Sequence, residues 1–471
     1  MRRHLILFST ILILIILCFC SCERVENQGL GTSVSLVKME NNEIIVTYTD
    51  GTRESLGNIS SYLEDEREDL EFYPLDDGTY AVGAGNAKFL SNIEIPERYR
   101  GKIVSQIIDG GFSTCASLKS IKLPSTIVKI GEGAFRGCTA LEKINIPSGI
   151  SSIGNNAFYS CGNLSYNLYD TGMYLGNEEN PYVVFAKASS TTINSCEINE
   201  NTKIVYHRAF YGCEYLREIS IPFGVESVGF QAFGGCIRLG SLSIPHLNDG
   251  ENGKDDMYLG YYFGAMANDK NGMYVPEALK SLTVLKGDTI SPYALNGCYK
   301  IESVTLPQGI KSIGNEAFYG CSSLTSINLP SSLVSIGKHA FFNCVKLNEI
   351  NLPSGITRIE EYTFYNCVGL TSVNIPQGVE YIGNSAFRSC TNLTEISIPN
   401  STSTIGYSAF YGCGKIKAVF IPISVVTIDN DAFRECTNLM IYCEAQTMPK
   451  GWNLDWNYSR CHVEWGCKGI Q

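Results

Sequence analysis

The run Ala317-Phe318-Tyr319-Gly320-Cys321-Ser322-Ser323-Leu324-Thr325-Ser326-Ile327-Asn328-Leu329-Pro330 continues through Leu333, Ile336 and Gly337 to Ala340-Phe341. The same pattern returns around cysteines at 115, 138 and 161, at 213 and 236, and at 298, 321, 344, 367, 390, 413 and 436, spaced by 23 residues within each group. Self-similarity at a period of roughly 20–29 residues marks stacked supersecondary units, so these twelve copies predict a β-rich solenoid. Leu324 to Leu329 alternates apolar and polar side chains and reads as a short strand with one face inward. Pro330 ends it by withdrawing a ladder donor. Ile336-Gly337 makes a second bend, where the glycine is expected to take a positive φ. Ala340-Phe341 then returns the chain along the outer side. No unit can bury its apolar face alone, so the stack is the core.

Two intervals break the period: Cys161 to Cys213 spans 52 residues and Cys236 to Cys298 spans 62. Each hides a degenerate unit, which brings the expected total to about fourteen. In the first, Ile193, Cys196, Ile198 and Val205 keep register with the apolar positions before Phe210. In the second, Leu279, Leu282 and Val284 supply the strand. The inserts, near 166–190 and 246–278, share the tetrapeptides Met173-Tyr174-Leu175-Gly176 and Met257-Tyr258-Leu259-Gly260 and are read as related excursions.

The chain has 471 residues and a net charge of −11. Nucleic acid is disfavoured as a partner, because phosphate binding needs clustered Lys and Arg. The charge sits in the stem from Glu23 to Asp77, with 14 acidic residues against 4 basic ones. Within that stem Val34 to Met39, Ile44 to Thr49 and Arg53 to Leu56 read as three strands, with Asn41-Asn42 and Asp50-Gly51 at the turns. Glu64 to Asp69 is a charge run that reads as a solvated linker. The expected organisation is a leader over 1–21, an acidic β module and linker over 22–78, the solenoid over 79–445 and a C-terminal cap over 446–471.

Regularly spaced cysteines raise the question of disulfides. Equivalent residues of neighbouring units point the same way at about 4.8 Å, whereas a disulfide needs Cβ atoms near 3.8 Å on convergent vectors. A ladder of buried thiols is the expected alternative. Cys443, Cys461 and Cys467 lie off the period and are candidates for a disulfide of undetermined pairing. Five histidines in unrelated contexts nominate no metal or acid-base constellation. No cofactor, metal or catalytic residue is expected, and the chain does not read as an enzyme.

The 23-residue pattern resembles the Treponema-type, or BspA-like, leucine-rich repeat family, carried for example by Leu347, Ile350, Leu352, Pro353, Ile356, Ile359, Phe364 and Cys367. The resemblance implies a leucine-rich repeat solenoid on a surface-exposed or secreted bacterial protein. It also implies an adhesin role, with host extracellular-matrix proteins or other microbes as partners and no shared catalytic residues. Leu295 replaces the Phe of the pattern, Thr363 the Ala, and Glu360 and Asp429 the Gly, so altered turns are expected there.

Arg2, Arg3 and His4 precede an apolar run from Leu5 to Cys18, too short for a comfortable membrane span and readable as an export signal. Phe19-Cys20-Ser21-Cys22 resembles the lipobox of bacterial lipoproteins, which implies lipidation at Cys22 and attachment to a membrane, the outer membrane and cell surface being the expected address. An ordinary secretory signal with incidental cysteines and an uncleaved anchor are the other readings.

Two surfaces could hold a ligand. Five and seven residues after each Cys, outward strand positions stack into a polar face that includes Asn328, Glu349, Asn351, Asn374 and Glu395. Two residues before each Cys lies an aromatic row, including Tyr319, Phe342, Tyr365 and Tyr411, which reads either as an exposed interface or as packing against the next turn. The first surface suits a protein-binding scaffold. The second suits a glycan-binding accessory protein of an outer-membrane uptake system.

Overall fold

The computed structural model describes residues 34–40, 43–58, 69–247 and 258–469. The leader, Cys22, Asn41-Asn42, Glu64–Glu68 and Met257 lie outside these residues. The chain divides into two units, Met1–Arg67 and Glu68–Gln471.

In the first unit Val34–Glu40, Glu43–Tyr48 and Arg53–Asn58 form an antiparallel three-stranded sheet in chain order. The Asp50-Gly51 turn is built as the sequence suggests. Gly51 takes φ +84°, and the Asp50 carboxylate accepts the Thr52 N–H at 2.9 Å and its hydroxyl at 2.6 Å. Asp77, Gly78 and Thr79 repeat the device in the second unit, which begins with a hairpin of Glu71–Pro74 and Tyr80–Gly83.

The second unit is a solenoid of about sixteen turns. The two beyond the expected fourteen are at its ends: one is centred on Ala87, and the other carries Trp456 where inner turns carry Phe. Neighbouring strands pair in parallel at the repeat interval, for example Ser326 with Glu349 and Glu349 with Ser372. Strands Glu218–Ser220, Ser241–Ile244, Ser281–Val284, Ser303–Thr305, Ser326–Ile327, Glu349–Asn351 and Ser372–Asn374 form one sheet in that order. The degenerate unit expected around Leu282 therefore supplies a regular strand.

The core is a column of stacked rings. Phe318, Phe341, Phe364, Phe387, Phe410 and Phe433 follow at centroid distances of 5.0, 5.5, 5.3, 5.4 and 5.4 Å, and Trp456 closes the column edge-on at 6.1 Å. Beside it runs the thiol ladder. Most ladder cysteines donate their S–H to the carbonyl of the ring residue in the preceding turn, as in Cys344 to Phe318 at 3.2 Å, Cys367 to Phe341 at 3.1 Å and Cys390 to Phe364 at 3.1 Å, while beside the inserts Cys213 reaches Ser190 O at 3.8 Å and Cys298 the Asn271 side chain at 3.7 Å. A small apolar side chain that also donates a hydrogen bond fills both needs of this slot. Cys443, Cys461 and Cys467 are likewise free thiols. Cys461 extends the ladder, bonding the Cys436 carbonyl at 3.2 Å, and Cys467 lies beside Cys443, its N–H on the Cys443 carbonyl at 3.0 Å.

Three expectations are corrected. The Ile-Gly glycines are not the positive-φ residues. Gly337 is there because a Cβ would lie 2.6 Å from Asn315 N and 2.8 Å from Gly314 C, in the turn beneath it. Positive φ falls instead five residues and one residue before each Cys, as at Glu316 (55°) and Gly320 (69°), or His339 (56°) and Asn343 (59°). With these bends Glu316, Phe318 and Gly320 all donate their N–H groups to the next turn, at Lys338, Ala340 and Phe342.

The second correction concerns the shared tetrapeptides. Met173 to Gly176 lies in and just after the strand Gly172–Leu175, whereas Leu259-Gly260 begins a 3-10 helix over Leu259–Phe263. They are not equivalent excursions, because each is fitted to a different return onto the ring column, through Phe185 and Phe263. Third, the substituted turns keep their bonding at Leu295, Thr363 and Asp429, whereas at Glu360 the expected alteration is seen: its N–H lacks the bond that Gly337 makes to Ile313 O, and the strands Ser335–Ile336 and Arg358–Ile359 fall in separate sheets. Leu295 N–H still reaches Ala317 O at 2.7 Å, Phe341 N–H reaches Thr363 O at 2.9 Å, and Asp429 N–H reaches Ile405 O at 2.9 Å.

Candidate binding surfaces

The parallel register stacks one outward row as Glu218, Ser241, Ser281, Ser303, Ser326, Glu349 and Ser372. A second outward row contains Ser220, Ser243, Thr283 and Thr305, with Asn328 next along and Asn351 opposite Asn374. Between the rows Ile219, Leu242, Leu282, Val304, Ile327, Ile350 and Val373 point inward and are buried. Strand alternation thus separates a dry side from a wet one within each short strand.

Asn328, Glu349, Asn351, Asn374 and Glu395 are all exposed. Among the described residues their side chains make no hydrogen bond or ion pair with the protein. Polar side chains one step away are committed to the scaffold. Thr325, Thr371 and Thr394 donate their hydroxyls to carbonyls of the preceding turn, at 3.2, 3.2 and 3.1 Å. The polar face therefore carries amide and carboxylate groups that the fold itself does not use.

The aromatic row has a different character. Tyr319, Phe342, Tyr365 and Tyr411 are half-buried, while Tyr159 and Tyr211 are 55% and 51% exposed. Tyr319 stacks on Phe342 at 4.7 Å and 4°, and Phe342 on Tyr365 at 4.6 Å and 2°. The column continues through two residues that a search for aromatics passes over. The Arg388 guanidinium lies 5.9 Å from the Tyr365 ring and 4.3 Å from Tyr411, and Arg434 lies 5.7 Å from Tyr411 and 4.5 Å from Tyr458. Both arginines sit two residues before a ladder cysteine, so the column is legible in the sequence once its members need only be flat. The Tyr411 hydroxyl donates to Glu435, and that bond raises its pKa. From Tyr319 to Tyr458 neighbours cover ring faces and leave mainly edges for a ligand, while Tyr159 and Tyr211 each carry an arginine over one face, Arg136 at 5.6 Å and Arg208 at 5.0 Å. Sugar rings stack on faces, so this column is poorly suited to them.

His339 stacks on Tyr362 at 4.7 Å and 5°. Burial lowers the His207 pKa, and its Nδ1 lies 2.9 Å from the Phe230 carbonyl. Among the described residues no group of three or more His, Cys, Asp or Glu side chains could hold a metal ion. Cys22 lies outside the described residues.

A family model for the BspA type leucine rich repeat region matches in six copies over residues 86–175, 183–252, 288–383 and 357–443. Among solved structures the chain is similar to a leucine-rich repeat protein from Bacteroides ovatus, at 24% identity and a TM-score of 0.42, covering 84% of this chain and 98% of that one. A leucine rich cell surface protein from Faecalibacterium prausnitzii is 20% identical, with a TM-score of 0.29 over 93% and 96% of the two chains. A leucine rich repeat protein from T. pallidum is 19% identical, with a TM-score of 0.25 over 60% and 89%. No curated protein matches the chain.

Proposed function

The chain belongs to the BspA-type leucine-rich repeat family, and from that premise we propose that it is a cell-surface adhesin that binds macromolecules through the polar strand face. The observation that carries this reading is the row of uncommitted side chains on Asn328, Glu349, Asn351, Asn374 and Glu395. Extended solenoid surfaces present many such groups in fixed register. Partners in this reading are host extracellular-matrix proteins or surface macromolecules of other microbes. A glycan-binding role through the aromatic row loses support, because stacking covers its ring faces.

The test is binding of the purified protein to immobilised matrix proteins and to polysaccharides. A variant carrying Glu349→Arg, Asn351→Arg and Asn374→Arg should lose about tenfold or more in affinity for a captured matrix protein with its melting unchanged. Undiminished binding by that variant, or capture by polysaccharide alone, would overturn the proposal.

We also propose attachment through a lipid on Cys22. More than one acyl chain gives stable membrane anchoring. Cells expressing the protein and fed a fatty-acid probe should label it, and Cys22→Ala should abolish the label. Protease added to intact cells should then release the solenoid. A labelled protein that resists the protease would place it inside the envelope and end the adhesin reading.

A further inference from the structure

The last turn leaves a strand edge unfinished. His462–Trp465 pairs with Met440–Cys443 and ends a three-stranded parallel sheet, with no strand beyond it among the described residues. Its bonding direction follows from its neighbour. Met440 N–H reaches Lys417 O and Glu444 N–H reaches Ile421 O, both toward the preceding strand. Ile441 and Cys443 therefore face the end strand, and on that side Cys467 N–H meets Cys443 O at 3.0 Å. In a parallel ladder the residue opposite a bonded one turns its own groups away. Val463 lies opposite Ile441 and Trp465 opposite Cys443, so both turn their N–H and C=O groups outward.

One side chain shows what fits such an edge. The Asn457 amide accepts the Cys461 N–H at 2.9 Å and donates to the Cys461 carbonyl at 2.9 Å, as the backbone of a further strand would. It seals the edge at Cys461, and no group among the described residues does the same at Val463 or Trp465. The apolar side is unfinished as well. Val463 is only half-buried against the core, whereas its register partner Ile441 is wholly buried. Trp465 is 36% exposed, its ring 5.8 Å from Trp452. An open edge beside uncovered apolar side chains is a template for an added strand.

The other end of the solenoid is closed to such pairing. Leu75 N–H bonds Thr79 O at the first hairpin, which sets Pro74 of the edge strand Glu71–Pro74 facing outward, and proline has no N–H to offer. Head-to-tail growth is thereby disfavoured, and an end strand that meets a copy of itself closes as a dimer. The residues also set the register. Antiparallel pairing about Glu464 brings Val463 opposite Trp465 of the other copy. Each such pair exchanges both backbone bonds and joins a β-branched side chain to an aromatic one on the apolar side. Gly466, at φ +73°, then turns the chain toward Ala445, whose carbonyl takes its N–H at 3.0 Å. The strand thus leaves the ladder before it would meet Asn457 of the other copy.

We propose that the protein forms a two-fold dimer through its last strand, Val463 of each copy pairing with Trp465 of the other. Glu464 is the one residue that opposes it, because it faces itself across the axis, and its own His462 lies 3.6 Å away. The polar face at Glu349 and Asn351 takes no part, so the dimer stands or falls independently of the adhesin reading. Two copies joined in this way present two such faces, which raises avidity for a repetitive partner.

The experiment is sedimentation velocity on the purified protein over about 1–200 µM, where monomer should pass to dimer. Val463→Pro removes only an outward N–H and spares the ladder to Met440–Cys443. It should weaken the dimer by about tenfold or more with melting unchanged. Trp465→Ser, which leaves the backbone alone, should weaken it too, and Glu464→Gln should tighten it by removing the like charges. Trp452, Trp456 and Trp465 are the chain's three tryptophans, so the emission reports on this end, and it should shift to the blue as the dimer forms. The variant with Glu349→Arg, Asn351→Arg and Asn374→Arg should dimerise as wild type does. A monomer at every concentration overturns the proposal. A dimer unchanged in Val463→Pro and Trp465→Ser, both melting like wild type, belongs to another surface and overturns it too. Weakening by Glu464→Gln overturns the pairing about that residue, and the proposal with it.

Discussion

Phe341→Ala lowers the unfolding free energy by about 3–5 kcal/mol in a denaturant titration. The ring is wholly buried between Phe318 at 5.0 Å and Phe364 at 5.5 Å, nearly parallel to both. Truncation removes its buried area and leaves a cavity, and it also breaks two aromatic contacts worth about 0.5–1.5 kcal/mol each beyond area. The backbone cannot follow the ring inward to fill the gap. Phe341 N–H is held by Thr363 O at 2.9 Å, and its carbonyl holds the Cys367 thiol at 3.1 Å. Because each turn contacts only its neighbours, two interfaces weaken together, and the unfolding transition should broaden as well as shift. Phe342→Ala is the internal comparison. Phe342 is half-buried in the outer column, so its loss should cost markedly less. A cost for Phe341→Ala below about 1 kcal/mol, or no greater than that of Phe342→Ala, would place the wrong ring inside.

The inward register was readable because it repeats. Phe, Cys and the strand apolar positions recur in nearly every turn, and the buried set is that set. What the repeat could not show was the contact between turns. Gly337 looks like any turn glycine in the sequence, and only the 2.6 Å approach to Asn315 N reveals that spacing, not φ, selects it. The left-handed positions went unread because Glu316, His339 and Tyr362 have no side-chain signature for φ > 0. The polar face was legible as alternation, yet its uncommitted state required knowing that Thr325 and Thr371 bond back to the scaffold while Asn351 and Asn374 do not. Arg388 and Arg434 were hidden by chemistry, since an aromatic filter excludes a flat cation. In the first broken period the register of Ile193, Cys196 and Ile198 was legible, whereas the loss of strand pairing between Ser195–Ile198 and Glu218–Ser220 was not, because backbone pairing has no side-chain signature.

Raising the pH from 7.5 to 10 under reducing conditions should strip several kcal/mol from the stability of this protein, through its thiol ladder. Burial pushes Cys236, Cys321, Cys367 and Cys436 up from 9.0 to about 12, and pushes Cys298, Cys344, Cys390 and Cys413 well above 9.0. A thiolate in this slot would be buried against the carbonyl oxygen that its proton now bonds, as Cys344 bonds Phe318. A thiol whose pKa rises on folding keeps its proton in the native state while the unfolded chain releases it. Its contribution is therefore whole below the unfolded value and declines as pH rises toward the folded one. At pH 10 the first four each lose about 1.4 kcal/mol, or about 5–6 kcal/mol together. That is comparable to the whole stability of many domains, about 5–15 kcal/mol. Guanidinium midpoints should be nearly level up to about pH 8 and fall steeply beyond it. Lys and Tyr also titrate in this range, so the thiol share is isolated by the variant carrying Cys321→Ala and Cys367→Ala. It should start less stable and fall less steeply, losing about 2–3 kcal/mol less between the two pH values. A midpoint that does not move by pH 10, or a variant slope equal to the wild type's, would mean that the ladder ionises freely and that the cysteines are not sealed between the turns.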